Sequence, residues 1–159
     1  MLDLLTKEKA ELYSDEMKDL PPNPVLVLDK AFERTKAPGS ATAVVVLLDG
    51  GIMHAANLGD SGFMLFRLKR DEQGCRYNLV KKSEEQQHDF NKPCQLTRLP
   101  DEADFKKLER KAMHTQAQIL KKKCSMSSDM KHDRPCDADT YRLRVQEGDL
   151  LLVMTDGKQ

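Results

Sequence analysis

The chain has 159 residues, enough for one domain with a modest core. Lys+Arg and Asp+Glu are equal at 26 each, so charge gives no case for a nucleic-acid or membrane-surface partner. Hydrophobic residues make up 39% and charged residues 33%, a balance that points to a solvated insert within one domain.

The first nine residues, Met1 to Lys9, carry acidic groups and no long apolar core, so neither a secretory signal nor a transit peptide is written there. The longest apolar run is too short to span a bilayer, and no membrane insertion is expected. Cys75, Cys94, Cys124 and Cys136 form no Cys-x-x-Cys pair, and reduced thiols in an intracellular compartment are the default. His132 and Cys136, four apart with Cys124 upstream, lack the paired spacing of structural zinc sites.

Residues 1–20 read as a helix with Ala10, Leu12 and Met17 partly buried, stopped by Pro21-Pro22-Asn23-Pro24. A second helix is expected from Pro24 or Val25 to Lys36, its apolar face made of Val25, Leu28, Ala31 and Phe32. A strand follows from Ala41 to Leu48 and reads as buried on both faces. Asp49-Gly50-Gly51 predicts a hairpin into Ile52–Leu58. Gly59-Asp60-Ser61-Gly62 is a sharp turn between that strand and Phe63–Lys69. With a fourth strand at Arg76–Lys81, short connections suggest an antiparallel meander.

Residues 83–99 read as an ordered polar loop. Phe105, Leu108, Ala112, Thr115 and Ile119 form a helical stripe, and 121–135 a polar, flexible stretch. The Lys121-Lys122-Lys123 run reads first as a solvated face. Strands are expected at Thr140–Val145 and Leu150–Met154, the latter running into Thr155-Asp156-Gly157. Two apolar strands thus each deliver an aspartate beside a glycine, a candidate hard-metal site. The plainer reading of Asp60 and Asp156 is that each bonds local backbone N–H groups in its turn.

Three motifs in order carry a resemblance: Gly39-Ser40-Ala41-Thr42-Ala43, Ala56-Asn57-Leu58-Gly59-Asp60-Ser61-Gly62, and Gly148-Asp149-Leu150-Leu151-Leu152-Val153-Met154-Thr155-Asp156-Gly157. Together they resemble the metal-dependent Ser/Thr protein phosphatases of the PPM type (protein phosphatase type 2C). Glu85-Gln86-Gln87-His88-Asp89-Phe90-Asn91-Lys92-Pro93-Cys94-Gln95-Leu96 is similar to the small branch of that family found in mitochondria and plastids. The resemblance covers roughly residues 24–99 and 138–157, and leaves residues 101–135 as a charged helical or flexible insert in a single domain, 1–159.

The resemblance implies an α+β fold: an αββα four-layer sandwich of two antiparallel sheets with flanking helices. It implies Mn²⁺ or Mg²⁺, with Asp156 as a core ligand, Gly157 beside it and Asp60 near an additional ion. It implies hydrolysis of phosphoserine and phosphothreonine by a metal-activated water, with no side-chain nucleophile, acting on a phosphoprotein as a monomer. Gln87, His88 and Asn91, with Gln86, read either as a loop touching substrate or as a hydrogen-bonded brace. The family's upstream Asp-Gly-x-Gly-Gly strand and downstream Asp-Asn pair have no counterpart here, so the chain reads as an incomplete domain. The alternative is a non-catalytic pseudophosphatase or fragment that binds a protein partner.

Overall fold

The computed structural model describes residues 22–72, 74–110, 113–127 and 132–155. The helix expected over 1–20, and Asp156 and Gly157, lie outside the described residues.

Helix α1 spans Pro24–Arg34. Asn23 caps it, its Oδ1 accepting the N–H groups of Val25 at 3.0 Å and Leu26 at 3.3 Å. Pro24 follows the cap, where a missing N–H costs nothing. At the other end the Thr35 hydroxyl donates to the Ala31 carbonyl at 2.9 Å. Val25, Leu28 and Phe32 face the core, whereas Ala31, expected beside them, is exposed.

The strand expected at 41–48 is divided in two. Strand β1 (Gly39–Ala41) leaves to pair with β8 (Leu96–Arg98), and β2 (Ala43–Asp49) pairs with β3 (Ile52–Leu58). The break falls at Thr42, whose hydroxyl turns to Ser61 Oγ at 2.6 Å. Gly50 and Gly51, with φ of 50° and 83°, make the expected two-residue hairpin. Among the described residues, strand β2 lies at the edge of its sheet and is only partly buried. The strand buried on both faces is β3, which lies between β2 and β9 (Asp139–Arg144).

The meander also fails, for a geometric reason. Strand β4 (Gly62–Asp71) does not pair with β3. It joins a second sheet, between β10 (Leu150–Met154) and β5 (Gly74–Lys82). A short connection had suggested adjacency within one sheet, but residues 59–61 form a corner between two sheets.

Alternation along β3 shows how the layers stack. Ala56 and Leu58 pack with Leu28 of α1, Leu96 and Ala138. Met53 and Ala55 point the other way, against Phe63 of β4, with Val44, Tyr141 and Leu151 around them. Phe63 meets Tyr141 edge-to-face with ring centroids 5.1 Å apart. The order is therefore helix, sheet, sheet. Beyond the second sheet, Leu150 and Leu79 flank Phe66 in one cross-strand row, and both are exposed to solvent. Three layers of the expected four-layer α+β sandwich are present among the described residues.

The loop expected at 83–99 contains β6 (Gln87–Asp89), β7 (Lys92–Pro93) and β8. The single helical stripe across 105–119 becomes two helices, α2 (Glu102–Arg110) and α3 (His114–Ser127). Ala117 is buried, whereas Ile119, expected on the apolar stripe, is exposed. Helix α3 also runs through Lys121 to Ser127, where flexibility was expected. Its residues are good helix formers, and Lys121 pairs with Glu109 at 2.9 Å across the two helices.

Candidate metal centre

The corner between β3 and β4 positions the candidate aspartate. Gly59 has φ of 96°, and a Cβ there would run into the Cys94 carbonyl and the Thr42 side chain. Only glycine satisfies both conditions. Gln86 braces the corner twice: its backbone N–H donates to the Gly59 carbonyl at 2.9 Å, and its side-chain Oε1 accepts the Gly59 N–H at 3.3 Å. Asn57 is fully buried, and its Nδ2 donates to the carbonyls of Glu84 at 3.1 Å and Gly59 at 3.4 Å. Ser83 closes the other side, its hydroxyl accepting the Phe63 N–H at 2.9 Å and its own N–H donating to the Phe63 carbonyl at 3.0 Å.

Asp60 is half-buried on this corner and opens onto a cleft of about 140 Å³. Ser61, Lys82, Ser83, Glu85 and Thr155 line the same cleft. Thr155 arrives because β10 runs beside β4 with Met154 opposite Gly62. The last strand and the corner therefore meet at one end of the second sheet.

The donor set suits a hard cation: two carboxylates, Asp60 and Glu85, with the hydroxyls of Ser61, Ser83 and Thr155. Behind the lining, the buried Asn57 Oδ1 has no hydrogen-bond partner, but Asn57 does not line the cleft. Lys82 lies 3.7 Å from Glu85 and would compete with an ion for that carboxylate. By donor type, two carboxylates with hydroxyls suit one hard divalent cation. Two bridged ions need more carboxylates than the described cleft supplies.

Gln87, His88 and Asn91 lie on the β6–β7 hairpin, outside the cleft lining. Gln87 Nε2 reaches Glu85 Oε2 at 3.5 Å, which ties it to the cleft wall. His88 Nε2 faces Asp133 Oδ2 at 2.9 Å. Asn91 sits in the hairpin turn at φ 55°, a left-handed conformation that asparagine tolerates. Glu85 and Ser83 went unrecognised in the sequence, where they are two polar residues among many. His132 and Cys136 share a separate cleft, and Cys124 lines another.

A helix-backed pair of antiparallel sheets with an acidic corner at one end defines the architecture of a PPM-type phosphatase domain. No family model matches the chain. It is 40% identical over 121 residues to the protein phosphatase PTC7 homolog fig of Drosophila willistoni, covering 75% of this chain and 29% of that protein. It is 35% identical over 155 residues to the PTC7 homolog of Xenopus laevis, covering 93% and 42% respectively. With the probable protein phosphatase 2C 80 of Arabidopsis thaliana it shares 32% over 135 residues, 85% of this chain and 23% of that protein. Among solved structures, the photosystem II phosphatase PBCP matches with a TM-score of 0.62 at 23% identity, covering 96% of this chain and 45% of that one. The chain is a relative of the PPM-type (2C) protein phosphatases, and its fold is theirs. It spans less than half the length of the relatives it matches.

Proposed function

We propose that this chain is part of a metal-dependent protein serine/threonine phosphatase, acting on phosphoserine and phosphothreonine in a protein substrate. The observation that carries the reading is that Asp60 and Thr155, the residue before Asp156, line one cleft with Glu85. Asp156 and Asp60 are the proposed ligands, with Gly157 next to Asp156 in sequence. A bound Mn²⁺ or Mg²⁺ would lower the pKa of its water and offset charge on the phosphoryl oxygens. The chain's own contribution is to hold Asp60 on a corner with little freedom, fixed by Gln86, Asn57 and Ser83. Gln87, His88 and Asn91 are proposed to form the substrate-facing rim, with Gln87 acting through Glu85. A mitochondrial or plastid location and a monomeric state complete the proposal, on the likeness to the PTC7 group.

The test combines calorimetric titration of Mn²⁺ with hydrolysis of p-nitrophenyl phosphate. Manganese-dependent turnover that disappears in Asp156→Ala supports the reading. If the unaltered chain turns over no faster than Asp156→Ala, catalysis by this chain is excluded. A second reading, a non-catalytic module that binds a protein partner, draws on the described cleft having only two carboxylates and on the open row at Leu79 and Leu150. Absence of tight Mn²⁺ binding would favour it.

A further inference from the structure

Next to the corner, where the Cys94 carbonyl approaches Gly59, lies a second cluster of ligand-type side chains. His88 on β6, Cys94 after β7 and Asp133 ahead of the turn at Pro135–Asp137 each offer one ligand atom, and the three atoms lie within 4.8 Å of one another. They come from three separate segments, 6 and 39 positions apart along the chain, so no linear motif announces them. We propose that His88, Cys94 and Asp133 form a binding site for one Zn²⁺ ion, distinct from the Asp60 cleft.

The donor chemistry selects the metal. An imidazole nitrogen, a thiolate sulfur and a carboxylate oxygen together suit zinc, whereas Mg²⁺ and Mn²⁺ prefer oxygen alone. Tetrahedral zinc with bonds of about 2.0–2.3 Å holds its ligand atoms roughly 3.5 Å apart. The cluster therefore has to contract by at most about 1.3 Å. His88 Nε2 already lies 2.9 Å from Asp133 Oδ2, so the contraction falls on the distances to the Cys94 sulfur, and the 55% exposed His88 side chain has space to shift.

Asp133 is the fixed member. Its side chain is only 12% exposed, and its Oδ2 accepts the Gln95 N–H at 2.8 Å as well as facing His88 at 2.9 Å. A backbone donor that orients a ligating carboxylate is the usual outer support of a metal site. Burial first, and the nearby carboxylates of Asp133, Asp137 and Asp139 next, push the Cys94 thiol up, so an ion has to displace its proton on binding. Binding exchanges the Cys94 S–H bond for a sulfur–zinc bond, and the proton passes to solvent. Three protein ligands leave the fourth position to water.

The inference does not depend on phosphatase activity, and its test reads metal directly. Zinc affinity of the purified 159-residue chain is measured by competition with a chromogenic chelator. Cobalt is then substituted and its spectrum recorded. One zinc per chain and a thiolate-to-cobalt charge-transfer band are expected. His88→Ala and Cys94→Ser should each weaken zinc at least about tenfold, and Cys94→Ser should abolish the band, the size of loss expected when a metal site is broken. Cys75→Ser and Cys136→Ser should change neither. Circular dichroism checks each variant's fold, and the band of the unaltered chain needs no variant at all. No charge-transfer band in the unaltered chain, or zinc affinity unchanged in His88→Ala, would mean an adventitious ion only and would overturn the assignment.

Discussion

Gly59→Ala tests the corner on which the candidate site is built. The added methyl meets two separate penalties. At φ 96° an L-residue pays about 1–2 kcal/mol for left-handed backbone. The Cβ also overlaps the Cys94 carbonyl and the Thr42 side chain, and a backbone carbonyl braced by its neighbours has little room to retreat. Overpacking of this kind costs about 1–3 kcal/mol more. The sum, about 2–5 kcal/mol, corresponds to a fall in Tm of about 4–20 °C for a domain of this size. Gly50→Ala is the control. It has φ of 50° and open space around the added carbon, so only the backbone penalty of about 1 kcal/mol applies. Urea unfolding of both variants, followed by far-UV circular dichroism, separates the two contributions. Mn²⁺ affinity should drop in Gly59→Ala and remain unchanged in Gly50→Ala. Equal destabilisation by the two substitutions would refute the close approach, and with it the argument that this corner demands glycine.

Asp60→Ala should lower Mn²⁺ affinity at least about tenfold, with stability changed by no more than about 0.5 kcal/mol, as expected for a partly exposed turn residue; calorimetry and urea unfolding check the two halves. Phe63→Ala should cost about 3–5 kcal/mol, since it opens a cavity between the two sheets where Phe63 is 1% exposed; a loss under 1 kcal/mol would deny the face-to-face packing. The Arg67 guanidinium, bonding Asp149 at 2.7 and 2.9 Å, holds that carboxyl below the usual range, with the Gln146 N–H assisting. A lowered folded pKa contributes stability that is present above the unfolded value of about 3.9 and is lost as pH falls through the folded value. Asp149→Asn should therefore lose less stability than the unaltered chain between about pH 5 and about pH 2, and parallel acid limbs in the two urea-midpoint profiles would contradict it.

What the sequence revealed and what it hid have physical causes. Helix α1, the hairpin at Gly50-Gly51 and strand β10 were legible because cap, turn and apolar period are local signals. The division at Thr42 and the change of sheet at Gly59 were not, because a short connection reads alike whether the next strand pairs or turns away. The same split runs through the candidate site. Asp60 stood out because glycine flanks it, and Gly59 is forced by a close approach that no other residue allows. Its supports were invisible, since Gln86 works through one side-chain oxygen and two backbone groups in a polar loop.

Cys94 joins the two clusters physically. Its carbonyl presses on Gly59, and its N–H donates to the Gln86 carbonyl at 2.9 Å, while Gln86 Nε2 reaches the Asp137 carbonyl at 3.0 Å. The strap at 86–94 and the turn at 135–137 thus form one hydrogen-bonded unit behind the Asp60 corner. An ion held by His88, Cys94 and Asp133 would clamp that unit. The corner's rigidity is then set in the loop least readable from sequence, and a substitution at Cys94 should be felt at Asp60 through Gly59 rather than through any direct contact.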